Sequence, residues 1–101
     1  MTIALGQWTF VGPHLNTDYL RAQSGVYAIL GQRASSPSWE VVDIGESGEV
    51  RQRVTTHDRR PCWERQGYAR LSVAAFYCDE RTRIAIESSL RAQYKPPCGD
   101  R

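Results

Sequence analysis

The order of segments along the chain predicts an α/β (α+β) domain: a small, mostly antiparallel sheet with helices packed on it. Three observations predict it. Two β-rich runs, residues 25–30 and 39–44, flank a polar loop; a helical stretch with apolar positions four apart follows; and a third β-rich run precedes a long helical tail. The 101 residues make one domain, with 1–23 as an N-terminal lead-in and 24–99 as the core.

The lead-in carries Trp8, Phe10 and the turn-prone pair Gly12-Pro13, and Asn16 or Thr17 is placed to cap a short helix through Arg21. Residues 25–30, GVYAIL, are rich in β-formers and read as the first strand. The small, polar residues 31–38, GQRASSPS, form a hairpin loop, and 39–44, WEVVDI, are its antiparallel second strand. Gly45 ends that strand. Ser47 or Gly48 then begins a helix to about His57, with Val50 and Val54 on one face. Residues 58–67 contain Pro61, Trp63 and Gly67 and read as a loop or short helical turn. Residues 68–77 are the third strand. Asp79 caps a last helix over 80–94, with Ile86, Leu90 and Tyr94 as its buried stripe, and Lys95-Pro96-Pro97 stops it.

Composition narrows the class. With 41% hydrophobic and 24% charged residues the chain can build a core and is not disordered. No apolar run is long enough to span a bilayer, so no membrane partner is expected, and residues 1–7 lack the basic start of a signal peptide. Cys62, Cys78 and Cys98 are odd in number and widely spaced, and His14 and His57 are not placed as a zinc pair. The expectation is three reduced thiols, neither disulfide nor zinc, and a reducing, cytoplasmic setting.

The net charge of +2 identifies no partner, but its distribution is informative. Arg51, Arg53, Arg59, Arg60 and Arg65 fall in one stretch, and twelve of the thirteen basic residues are arginine, whose planar fork suits phosphate. Charge alone reads as a solvated face. Trp63 lies among Arg59, Arg60 and Arg65, an interleaving that suits stacking on bases and contact with a nucleic-acid backbone, or else simple packing of Trp63 in the core.

Several residues stand in a telling succession. Gly25-Val26-Tyr27 opens the first strand and Asp43-Ile44-Gly45 closes the second. Arg53 and His57 follow one turn apart, and Glu87 lies on the last helix, ahead of Tyr94-Lys95-Pro96-Pro97-Cys98-Gly99. This succession resembles the GIY-YIG nuclease domain over residues 25–99. The resemblance implies a three-stranded antiparallel sheet flanked by helices, and hydrolysis of phosphodiester bonds in nucleic acid, DNA ahead of RNA. By that likeness Glu87 holds one Mg²⁺ or Mn²⁺, Arg53 clamps the phosphate, and Tyr27 is the general base or water-positioning hydroxyl, with His57 beside it. Arg51, Arg59, Arg60, Trp63 and Arg65 are the expected nucleic-acid contacts, and a protein partner is expected to supply specificity.

The chain departs from that pattern in three places. Asp43 replaces the tyrosine of YIG, Gly99 replaces an asparagine, and Glu46 stands where a lysine is common. Asp43 is therefore a candidate base or second metal ligand. The alternative function is a catalytically degenerate domain that binds nucleic acid or protein without cleaving.

Overall fold

A computed structural model gives the structure of residues 1–99. Its most buried strand is the apolar run around GVYAIL, which extends over Gly25–Gln32 and is buried at every position except its last. In chain order the elements are β1 (Thr2–Leu5), β2 (Trp8–His14), a 3₁₀ turn (Thr17–Tyr19), β3 (Gly25–Gln32), β4 (Trp39–Ser47), α1 (Val50–Thr55), α2 (Arg60–Arg65), β5 (Arg70–Tyr77) and α3 (Glu80–Tyr94). The five strands form one antiparallel sheet in the order β1-β2-β5-β3-β4.

Alternation along β3 divides the core into two layers. Val26, Ala28 and Leu30 join Ile44 and Ala74 against Ile86 and Leu90 of α3. Tyr27 and Ile29 face the other way, with Val42, Val73 and Ala75 against Val50 and Val54 of α1 and Trp63 of α2. Tyr27 is thus committed by its register to the α1–α2 side. The β3–β4 register shifts between Ile29 and Leu30, so that Val42 is unpaired; the resulting bulge lies beside Asp43 on an edge strand.

The mixed α+β class is as expected, but the sheet has five strands rather than three. The two additional strands come from residues read as a lead-in. β1 and β2 form a hairpin, Phe10 is fully buried, and β2 docks on β5. β1 pairs only with β2, and the pairing of β2 with β5 is remote in sequence. The expected helix ending at Arg21 is only the 3₁₀ turn, which Asn16 caps by accepting from the Asp18 amide.

Other boundaries move for local reasons. α1 begins at Val50 because the Glu49 carboxylate, not Ser47, accepts from the Gln52 amide. It ends at Thr55, which leaves His57 beyond the helix. Residues 60–65 form a true helix, with Pro61 in the first turn where its missing N–H is tolerated. α3 has the expected limits, with Asp79 accepting from the Thr82 amide at 2.9 Å.

The cysteine expectation is corrected. Cys62 and Cys98 are bonded across 36 residues, and only Cys78 is free. The folded chain brings them together: the Cys98 amide donates to the Val42 carbonyl of β4 at 3.1 Å, which docks the segment after α3 beside Cys62 of α2. Sequence spacing cannot reveal such a juxtaposition. Among the described residues no helix is long and apolar enough to cross a membrane.

Candidate active site

Tyr27 is 1% exposed, and its hydroxyl lies 2.5 Å from His57 Nε2. Gly45 makes room for it. The two residues are paired across β3 and β4, and a Cβ at position 45 would meet the phenol oxygen at 2.1 Å. The His57 side chain is fully enclosed, packed against Trp63 with ring centroids 4.9 Å apart.

The direction of the Tyr27–His57 bond follows from the ring's other nitrogen. Nδ1 accepts from the Arg59 backbone N–H at 3.0 Å, so its lone pair is used. Burial, helped by the charges of Arg53 and Arg59 and opposed by Asp43 and Asp58, lowers the His57 pKa to about 4. The ring is therefore neutral at pH 7, its single proton is on Nε2, and Nε2–H donates to the Tyr27 oxygen. Burial also raises the phenol above its usual pKa, against the lowering effects of Arg59 and Arg53. Tyr27 consequently keeps its proton at pH 7 and, with its oxygen already accepting, can donate it elsewhere.

Arg53, in the last turn of α1, lies near enough for its charge to act on the phenol. Its Nη2 also lies 2.9 Å from Asp58, an exposed carboxylate. Tyr27 and His57 thus meet, with Arg53 near enough for its charge to act on both, and His57 arrives from a loop rather than from the face of a helix.

The second half of the pocket surrounds Asp43, which is fully buried. Arg59 grips it with two bonds, Nε to Oδ2 at 2.8 Å and Nη2 to Oδ1 at 3.2 Å. Trp63 Nε1 donates to Oδ2 at 2.7 Å, and Arg91 Nη2 to Oδ1 at 2.6 Å. Such a carboxylate is a counterion for two arginines, and its lone pairs are not available for general base work. Glu87 is buried on α3, and its Oε2 accepts from Arg91 Nε at 3.2 Å. Glu46 accepts from Arg83 Nε at 2.6 Å, so the acidic residue in the place of a common lysine is matched internally.

The expected nucleic-acid contacts separate into inward and outward groups. Trp63 is 3% exposed, with its ring in the core and its N–H on Asp43, so it cannot serve as a stacking platform. Arg59 is also turned inward. Arg60 donates to the carbonyls of Val54 and Thr55 at the end of α1 and lies over the Trp63 ring. Arg51 and Arg65 are exposed, Arg51 within 3.5 Å of Asp18.

The two buried carboxylates of the pocket are committed to cationic and N–H donors rather than arranged around a metal position. Magnesium takes an octahedron of oxygens at about 2.0–2.1 Å. Both Asp43 oxygens are occupied by arginine and indole donors, and Glu87 is paired with Arg91. Among the described residues no group of three or more His, Cys, Asp or Glu could hold a metal ion. Arg91 is the participant sequence reasoning missed, while Gly45 stood in the succession without its role of making room for the Tyr27 phenol. Arg91 could be weighed only as an ordinary helix partner four residues from Glu87, because spacing does not report depth.

No family model matches the chain, and no match is found among curated proteins or solved structures.

Proposed function

We propose that this domain is a GIY-YIG-type endonuclease that hydrolyses phosphodiester bonds of nucleic acid, DNA ahead of RNA, with a protein partner supplying specificity. The observation that carries this reading is the Tyr27 phenol, held at its oxygen by His57 Nε2–H with the Arg53 guanidinium alongside. Attack on a phosphodiester builds negative charge on the phosphoryl oxygens, and preorganised donors in a water-poor site lower that barrier. Arg53 exchanges its exposed partner Asp58 for the phosphate, and Tyr27 donates its proton in a hydrogen bond to a non-bridging oxygen. Water attacks the phosphorus, the bond to one ester oxygen breaks, and the proton the water loses ends on that departing oxygen. Because the phenol holds its own proton at pH 7, it acts in this scheme as a hydrogen-bond donor rather than as the general base.

The test is incubation with single-stranded, duplex and branched DNA and with RNA, alongside Arg53→Ala, Tyr27→Phe and Glu87→Gln. Cleavage by the wild type that is lost in Arg53→Ala and Tyr27→Phe supports the proposal. A second reading, a domain that binds nucleic acid without cutting it, is favoured by the internal pairing of Asp43 and Glu87 with arginine. Salt-sensitive binding with no cleavage of any substrate would select it.

A further inference from the structure

Arg91 has a side chain only 9% exposed, and its guanidinium reaches four acceptors. Nε donates to Glu87 Oε2 at 3.2 Å, Nη2 to Asp43 Oδ1 at 2.6 Å, and Nη1 to the carbonyls of Cys98 at 3.4 Å and Gly99 at 2.5 Å. One cation therefore bridges the two buried carboxylates of the pocket and is itself held by the chain after α3.

Gly99 is what makes the bridge possible. A Cβ there would lie 2.0 Å from Arg91 Nη2 and 2.7 Å from Asp43 Oδ1, and the backbone φ of +81° disfavours any side chain. An asparagine at this position and an arginine at 91 compete for the same space. The Cys62–Cys98 bond and the Cys98–Val42 hydrogen bond hold the backbone that carries Gly99 in place. The three unusual residues are interdependent: Asp43 needs a cation, Arg91 supplies it, and Gly99 leaves the room.

We infer that Arg91 is a built-in replacement for a divalent cation, so that this pocket engages nucleic-acid phosphate without a metal ion. The second half of that statement rests on the phosphate-binding reading given above. A metal on Glu87 would stand a few ångströms from a fixed guanidinium, and the two like charges would repel in a poorly solvated site. Arg59 and Arg91 balance Asp43 and Glu87, which leaves Arg53, whose partner Asp58 is exposed, as the guanidinium placed to meet phosphate.

The test uses Mn²⁺ alone as the probe, followed by calorimetry or electron paramagnetic resonance, with binding to a labelled DNA measured separately in EDTA and in Mn²⁺ at matched ionic strength. The wild type takes up no stoichiometric Mn²⁺, and its DNA affinity is the same in both media. Removing the guanidinium charge in Arg91→Gln creates a Mn²⁺ site at least about tenfold tighter than any in the wild type, and adding Glu87→Gln abolishes it. Arg91→Ala is the second variant should Arg91→Gln fail to fold. Stoichiometric Mn²⁺ uptake by the wild type that is lost in Glu87→Gln overturns the inference. So does a folded Arg91 variant that still takes no Mn²⁺, or DNA binding that requires the metal. Absence of DNA binding in both media overturns the phosphate reading instead, and the Mn²⁺ titration still decides the role of Arg91.

Discussion

The two halves of the pocket keep buried polar atoms satisfied by different means. On the Tyr27 side the two buried groups, Tyr27 and His57, are neutral, with charged Arg53 paired to exposed Asp58 at their edge. One backbone amide sets the tautomer of His57 and hence the direction of its bond to the phenol. On the Asp43 side the groups are charged, two carboxylates against two guanidinium groups, with an indole N–H added. A neutral pair can lose a member and leave a modest defect. Matched charges in a dry site are stable only as a set, since removing one strands the others. The neutral half is therefore where the chain can be altered to probe chemistry, and the charged half is where alteration threatens the fold.

That contrast can be broken most directly at Asp43. Asp43→Ala leaves Arg59 and Arg91 without their shared anion and should cost about 3–5 kcal/mol, read as a lowered urea midpoint. A loss near that of a single neutral hydrogen bond would abolish the distinction between the halves.

Acid tests the neutral half as a whole. His57 titrates at about 4 when folded against 6.5 as a free side chain, because burial and the charges of Arg53 and Arg59 oppose its protonation, with Asp43 and Asp58 acting against them. The unfolded chain therefore binds the proton first. The stability contribution is full above pH 6.5 and is lost as pH falls towards 4, by up to about 3 kcal/mol. Denaturant midpoints across this range should fall in the wild type and flatten in His57→Gln.

Gly99→Asn reinstates the residue the resemblance implies, but sets a side chain against Arg91; a loss of about 1–3 kcal/mol is expected. In an Arg91→Ala background the same change should cost clearly less, and a double-mutant cycle measures that coupling. Tyr27→Phe removes one hydrogen bond and should cost about 1 kcal/mol and, on the proposed function, abolish cleavage. Asp58→Asn removes an exposed partner of Arg53. Its thermal midpoint should not move measurably, while DNA affinity in a mobility-shift assay should rise.

Much of the scaffold was legible because its signals are local. The strand runs at 25–30 and 39–44 and the helix over 80–94 are written in apolar spacing and in the Asp79 cap. The N-terminal hairpin was not, since its two short strands owe their place to β5, more than fifty residues away. Ser47 looked like a helix cap, yet its hydroxyl is used in a turn with Glu49. The neutral half of the site could be read from the succession of Tyr27, Arg53 and His57. The charged half could not. Arg59 reads from the sequence as ligand-facing and Trp63 as either a stacking or a core residue, whereas the fold turns both inward onto Asp43, and spacing alone does not report that the chain after α3 closes over Arg91.

The missing Cβ of Gly99 reaches beyond this one molecule, because it ties three positions into a single covarying set. A related chain with tyrosine at position 43 offers no anion to hold a buried arginine, so it should lack arginine at 91 and be free to carry asparagine at 99. A chain with aspartate at 43 should carry arginine and glycine at the other two. Mixed combinations should be rare, and a census of related sequences would read that coupling without purifying a protein.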